Sequence, residues 1–594
     1  MATYRAPLDD MRFVTRELLA GEDLDSLPGY EEFPPDLHDA ILEEAGKFCE
    51  TVLFPLNQSG DQEGCSYENG VVRTPAGFKQ AYRAYAEAGW TGLLADPDYG
   101  GQGAPATIDA SVQEMLCSSN LSFSMYPGLS HGAYQAIAAH GTDDQKRVYL
   151  PRLVDGTWSG TMCLTEPHCG TDLGLLRTRA VAQADGSYKI TGTKIFISAG
   201  DHDLTENIVH LVLARTPDAP DGIKGVSMFL VPKFLPDADN APGARNGVMC
   251  GGIEHKMGIK ASATCLLNFD DASGYLVGDL HKGMRGMFTM MNAARLAVGI
   301  QGLGVSEGAY QSAVAYARER LQGRALKGPR NPDQPADPIL VHPDVRRMLL
   351  TMRAYTEGGR ALVAWVAAKL DVSLRHEDAA VAEVAGDLVS LLTPVVKALL
   401  TDLATETTNL GVQVYGGHGY VRDNGMEQYV RDARIGQIYE GANGVQALDL
   451  VGRKLGAHTG RYLRSFFHPL TEFIDGRAGT EALKPFVDPL AKAFGRLQQA
   501  TAVIAQRGLQ DPDEAAAVAS DYLRLFGLVA LAYLWARMAE VALSKLDGET
   551  PGFYQAKVDT AAFFMQRLLP QSGALFASIM AGGRSTTAFN DDAF

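Results

Sequence analysis

Between about residues 161 and 280 the hydrophobic pattern changes period, and this change constrains the fold more than any other feature of the chain. The runs SYKITGTKIFIS, NIVHLVLAR and GVSMFLVP are short and rich in β-branched and aromatic residues, and the loops between them, such as TPDAPDGIKG and LPDADNAPGARNG, are rich in Gly, Pro and Asp. On both sides the texture is helical. DLHDAILEEAGKFCETVLFPL precedes the β-rich part, with the turn-rich DPDYGGQGAP at Asp96 to Pro105 breaking the helical pattern. DAAVAEVAGDLVSLLTPVVKALLTDLATETTNL follows it, and Pro394 predicts a kink or a division there. In QDPDEAAAVAS, Asp511 as N-cap, Pro512 at the first helical position and Glu514 at the third predict a helix start. The chain reads as mainly α with a small central β domain. The expected parts are an N-terminal extension at 1–36, a helical domain at 37–160, the β domain at 161–282, a helical domain at 283–455 and a C-terminal helical extension at 456–594.

At 594 residues, with 46% hydrophobic and 21% charged, the chain can bury several cores and a large ligand. Its net charge of -17 argues against nucleic acid as a partner, because a phosphate backbone requires a clustered basic surface. The longest apolar run, Leu525 to Ala536, is closed by Arg524 and Arg537 and is too short to cross a bilayer, so a buried helix and no membrane span are expected. MATYRAPLDDMRFVTRELLAG has neither a secretory nor a transit pattern, and a cytoplasmic location is expected. The seven cysteines form no CxxC pair and fit a reduced compartment. Cys163, His168 and Cys169 have no second cluster to complete a ligand set, so no metal is expected.

Three stretches carry candidate chemistry. CLTEPHCGTD offers the hydroxyls of Thr165 and Thr171 around Gly170, either for a planar heterocycle or an oxyanion, or as an ordinary domain junction. In KIFIS the strand alternation brings Phe196 and Ser198 to one face, where they could clamp a flat ring or, for the Phe, simply fill the core. In RIGQIYEGANGVQ, Glu440 stands between Tyr439 and a small-residue turn; by itself that window reads as a solvated acid.

Six motifs in register across about residues 40 to 455 resemble the acyl-CoA dehydrogenase family: GWTGLLADPDYGGQG, TEPHCGTD, GTKIFIS, YARERLQG, VQVYGGHGY and RDARIGQIYEG. The resemblance implies FAD, a helical N-terminal domain, a β-barrel-like middle domain, a helical-bundle C-terminal domain, and here an extra C-terminal helical domain. Leu164, Thr165 and Thr171 match positions at the flavin ring. Phe196 and Ser198 stand where the family usually has Trp and Thr. Arg320 and Gln322 match the pair that reaches the FAD of the neighbouring subunit, although Gly323-Arg324 replaces the usual Phe-Gly. Gln413, Gly416 and Gly417 match the turn at its pyrophosphate and adenosine.

The reaction implied is α,β-desaturation of an acyl-CoA to the trans-2-enoyl-CoA, with a base taking the α-proton and hydride passing to flavin N5. Glu440 matches the catalytic position. Some relatives carry the base just before an Arg equivalent to Arg295, but Ala294 stands there in this chain and cannot abstract a proton. Thr171, Arg295 and Tyr439 are candidates for lining the thioester pocket. Ala442 replaces the family's usual Thr, and Asn443 is expected to cap the next helix or reach the cofactor. The resemblance further implies a homo-oligomer, at least a dimer, and an electron-transfer flavoprotein as acceptor. An acyl-CoA oxidase and a DNA-associated alkylation-response relative are the alternatives. The N-terminal YRAPLDDMRFVTRELL and the extension past 456 resemble a bacterial subgroup that includes 3-methylthiopropanoyl-CoA and broad-range fatty acyl-CoA dehydrogenases, leaving both substrates open.

Overall fold

The computed structural model describes residues 2–548 and 550–594 in two compact units. One comprises Lys47–Pro105 and Met115–Ala297; the other comprises Met1–Gly46, Ala106–Glu114 and Val298–Phe594.

The first unit is built on a seven-stranded sheet of β1 (Trp158–Cys163), β2 (Arg179–Ala182), β3 (Tyr188–Ser198), β4 (Asn207–Arg215), β5 (Val226–Pro232), β6 (Val248–Ile253) and β7 (Thr264–Val277). Its order is β6-β7-β3-β2-β4-β1, and β5 pairs with both β7 and β4, so five strands close into a ring. The burial of β4 shows why NIVHLVLAR is almost wholly apolar. Val209, Leu211 and Leu213 pack with Ile137, Tyr149 and Leu150, while Val212 and Ala214 point to the other face with Ile190, Phe229 and Phe269. One element departs from the helical texture read at this end of the chain: a hairpin, Ser66–Glu68 with Val71–Arg73. Asn69 and Gly70 turn it with φ of 51° and 81°, the positive pair that a two-residue hairpin loop requires.

The second unit is helical. Its main helices are α1 (Gly283–Glu319, which starts in the first unit), α2 (Pro343–Arg375), α3 (Ala379–Tyr415), α4 (Asn443–Asp449), α5 (Lys484–Gln510), α6 (Ala519–Leu543) and α7 (Pro551–Phe563). Pro394 does not divide α3, which runs unbroken for 37 residues. Leu391 to Leu400 are buried on every side, and this packing outweighs the one lost backbone hydrogen bond. The run from Leu525 to Ala536 lies within α6, whose 25 residues are long and apolar enough by composition to span a membrane; 83% of its apolar window is buried in this unit, and 50% of that of α3. Asp511 caps the helix Pro512–Ala517 as its sequence predicts, accepting from Asp513 N at 3.0 Å.

The N-terminal arm folds onto the C-terminal extension. Phe13 meets Phe553 at 5.7 Å and Tyr554 at 6.3 Å, ring centre to ring centre. Asp10 pairs with both Arg360 of α2 and Lys557 of α7, and Arg360 also holds Glu114 at 2.5 Å and Glu307 at 2.6 Å. Each buried charge in this cluster has an opposite neighbour, the condition under which burial of ions is tolerated.

Candidate active site

In the sheet-bearing unit the candidate flavin residues converge on one bulge. Ser198, Ile197 and Lys194 pair with Thr264, Cys265 and Leu267, so Ile195 and Phe196 together face Leu266. Phe196 takes φ of 58° and is 58% exposed, while Ile197 is buried and Ser198 half-buried. The bulge shifts the alternation by one residue, which leaves Lys194 inside and Phe196 outside. Ile195 N donates to Thr165 O at 3.0 Å, which sets Leu164 and Thr165 beside the bulge, and a Cβ placed on Gly170, next to Thr171, would lie 3.6 Å from Thr165 Cγ2. Thr171 is exposed and Thr165 half-buried.

A buried ion pair holds this corner. Lys194 is 0% exposed and donates to Leu164 O at 2.9 Å and to Glu166 Oε1 at 2.8 Å. Glu166 also accepts from Arg177 N, Thr178 N and Thr178 Oγ1. Burial pushes its carboxyl up, but Lys194 and these donors outweigh that and hold it below the usual range. The donor atoms of Glu166, His168 and Cys169 lie within 4.8 Å of one another, but Glu166 is already committed to Lys194 and Thr178.

In the helical unit, Gln413, Gly416 and Gly417 end α3, and Arg320 and Gln322 follow α1. Tyr316 and Tyr415 stack at 4.1 Å, and Tyr316 Oη bonds His418 Nδ1 at 2.8 Å, which brings these two turns together. Gly416 has φ of 59° and ψ of -139°, a conformation essentially confined to glycine, and nothing lies within 4 Å of the Cβ position of either glycine. Gly323-Arg324, the departure from the family's Phe-Gly, has a local use. Arg324 donates to Asn331 O and Gln334 O and approaches buried Asp337, whose carboxyl is pulled down to about 2, first by the N–H groups of Ala325 and Asn331.

Glu440 sits between the short helical turn Ile435–Gln437 and α4, half-buried, with φ of 54°, followed by Gly441 at 86°. Gln446, fully buried, donates from Nε2 to Glu440 O at 3.3 Å and Gly441 O at 3.2 Å. Lys397 of α3 donates to Gly441 O at 2.7 Å and Asn443 Oδ1 at 2.8 Å. Tyr439 Oη donates to Gln301 Oε1.

Asn443 corrects the expectation for it. It caps no helix, because the N-cap of α4 is Ala442, and no side-chain cap is made. Its Nδ2 donates to Asp402 Oδ1 at 2.7 Å and to Thr401 Oγ1 at 3.0 Å, and its Oδ1 accepts from Lys397 and Thr401. The side-chain amide is thus engaged by α3 at both its oxygen and its nitrogen. Arg295, the remaining candidate, is buried on α1 in the sheet-bearing unit. The residues missed from sequence are Glu166, Lys194, Lys397 and Gln446. A lysine inside the apolar run VVKALL was the available signal for Lys397.

The comparisons with known proteins identify the family. Residues 35–157, 161–272 and 281–455 match the N-terminal, middle and C-terminal domains of acyl-CoA dehydrogenases, and 466–590 match a domain described as acetyl-CoA dehydrogenase C-terminal like. The chain belongs to the acyl-CoA dehydrogenase family. It is 43% identical to a 3-methylmercaptopropionyl-CoA dehydrogenase of Ruegeria pomeroyi, over 98% of this chain and 99% of that one. It is 36% identical to the broad-specificity linear acyl-CoA dehydrogenase FadE5 of Mycobacterium tuberculosis, over 96% of each. A crystal structure of a Bacillus anthracis acyl-CoA dehydrogenase complexed with FAD superposes with a TM-score of 0.75 over 96% of this chain and 91% of that one; at 22% identity this likeness speaks for the fold.

FAD is the family's cofactor, and the residues present fit it. Phe196 is an aromatic face held open at a strained backbone position, where a core phenylalanine would be covered. The Gly416-Gly417 turn leaves clear the space a Cβ would take, which lets backbone approach phosphate closely. Leu164, Thr165, Thr171, Phe196 and Ser198 would face the ring, and Arg320, Gln322, Gln413, Gly416 and Gly417 would meet the FAD of a neighbouring subunit.

Proposed function

We propose that this enzyme desaturates a short, unbranched acyl-CoA between its α and β carbons, with Glu440 as the base and 3-methylthiopropanoyl-CoA within its substrate range. The observation that carries the reading is the turn at Glu440. A glutamate in a left-handed conformation costs about 1–2 kcal/mol and persists only where its surroundings over-determine it. Here Gln446 and Lys397 grip the two carbonyls that follow.

The α C–H of a thioester is weakly acidic, so the carboxylate must be held in a near-attack position rather than searching for it. The clamped turn does this. The same turn fixes the Glu440 N–H, which is offered to the thioester carbonyl where negative charge develops as the α-proton leaves. FAD, when bound, supplies the two-electron acceptor for the β-hydrogen. A Cβ at Gly441 would come within 2.5 Å of Gln446 Nε2, so glycine keeps the clamp intact beside the reacting carbons. The identity to the Ruegeria enzyme along nearly the whole chain supports the thioether substrate. The proposal extends to an electron-transfer flavoprotein as acceptor, a cytoplasmic location, and a homodimer in which exposed Arg320 and Gln322 reach the cofactor of the second copy.

The test is anaerobic bleaching of the bound flavin by 3-methylthiopropanoyl-, butyryl-, octanoyl- and palmitoyl-CoA. Bleaching by the first two, fading with chain length, is expected. Failure of all four to bleach a flavin that dithionite reduces would overturn the reading.

A further inference from the structure

We propose that Lys397 is a positioning residue for the base: its buried ammonium pins the peptide after Glu440 and thereby sets the direction of the carboxylate and of its N–H. The inference rests on Glu440 being the base.

Lys397 lies in the middle of α3, is 0% exposed, and reaches out of its own helix to Gly441 O at 2.7 Å and Asn443 Oδ1 at 2.8 Å. An ammonium in the interior is costly to bury, so its place demands acceptors of good geometry. Those acceptors lie one and three residues beyond Glu440. Four residues on two consecutive turns of α3, Lys397, Ala398, Thr401 and Asp402, converge on the same short loop. Thr401 and Ala398 O bond the Asn443 amide, and Asp402 Oδ1 accepts from Asn443 Nδ2 at 2.7 Å and from Gln437 Nε2 at 2.6 Å. Gly436 packs so closely on Thr401 that a Cβ there would come within 2.9 Å of its Cγ2. The loop is therefore tied to α3 on both sides of Glu440, at Gln437 and at Gly441 to Asn443.

Within this frame the two backbone carbonyls at the strained residue are treated differently. Glu440 O and Gly441 O share the neutral amide of Gln446, but Gly441 O also receives the charged donor. A charge-assisted bond is the stronger of the two kinds, so it dominates the choice of conformer. Without it the Gly441 peptide can rotate, and Glu440 is released to the right-handed or extended conformations that L-residues favour. The base would still be present but would no longer be aimed.

The test uses the FAD-loaded full chain and the variant Lys397→Met, which keeps length and removes charge. Expected are retained flavin, a KM for the acyl-CoA within about threefold, and a flavin-reduction rate lower by about 10- to 100-fold, the range of one charge-assisted hydrogen bond. The kinetic isotope effect with α-dideuterated substrate should rise, because proton abstraction becomes more rate-limiting. If Lys397→Met does not fold, Gln446→Leu removes the neutral donor to the same carbonyl and should show the same split, with a rate loss of about 2- to 10-fold. A lowered melting temperature with an unchanged reduction rate per bound flavin would overturn the proposal, as would a loss expressed in KM alone. Glu440→Gln, run beside it, separates the two claims: if that variant bleaches at the wild-type rate, the base assignment has failed, and Lys397 is not the cause.

Discussion

Phe196 and Glu440 lie in different units of the chain, one at the edge of a barrel and the other after a short helical turn, yet both hold a left-handed backbone that L-residues avoid, φ of 58° and 54°. Both also have a buried lysine gripping a backbone carbonyl close by: Lys194 on Leu164 O and Lys397 on Gly441 O. They differ in what else fixes them. Around Phe196, strand pairing with β7 specifies the backbone up to the bulge and resumes at once after it, and Glu166 neutralises the lysine at 2.8 Å. Around Glu440 there is no ladder, and side chains from α3 and Gln446 do the holding. The same strained geometry thus rests on the sheet in one place and on single side chains in the other. Substitutions should therefore affect stability more at the first and aim more at the second.

The largest stability effect is expected at Lys194→Met. Removing one partner of a buried pair leaves Glu166 charged in the interior and should cost about 3–5 kcal/mol. Chemical denaturation followed by tryptophan fluorescence would measure it. A loss below 1 kcal/mol would mean that the corner is held by the strands alone.

Acidification should come next and should fall on the same unit. His202 and His210 are pushed down to about 3, first by burial and then by the charge of Lys233, so both are neutral when folded. Unfolded, each titrates near 6.5, so below that pH the unfolded state binds more protons and stability falls until the folded value near 3 is reached. The slope is up to about 1.4 kcal/mol per histidine per pH unit. Hydrogen exchange at pH 7 and pH 5 should show β1 and β4 losing protection while α6 changes little; equal loss in both would contradict this.

How much of this was legible in the sequence depends on distance along the chain. The β-rich texture of 161–280, the Asp511 cap and the buried run in α6 are local patterns, and the structure carries them. The division expected at Pro394 is absent because helix breaking is a local rule, and here the buried faces around it overrule that rule. The Asn69-Gly70 hairpin was written in its turn residues but sat in a helical neighbourhood. Glu440 could be singled out because its motif is contiguous. Lys397 stood out only as a lysine in an apolar run; its role did not, because its partners lie 44 and 46 residues away and only folding brings them together. The cap expected at Asn443 is absent for the same reason: the atoms that engage its amide belong to α3.

The smallest effects should come from relieving the strain. Phe196→Gly and Glu440→Gly each remove a left-handed Cβ worth about 1–2 kcal/mol, against about 0.5–1 kcal/mol for the greater freedom of glycine when unfolded. A net gain of up to about 1 kcal/mol in the apoprotein is expected at both, seen as a small rise in melting temperature. If only Phe196→Gly gains, the turn at Glu440 is relaxed rather than strained, and the account of its clamp weakens.

Whether Glu440 takes the α-proton is decided by anaerobic stopped-flow bleaching of Glu440→Gln against the unchanged enzyme, at equal flavin content. The variant should keep FAD and bind acyl-CoA but reduce its flavin slower by about 10²- to 10⁴-fold, the usual contribution of a general base. Bleaching at near the original rate would contradict that role.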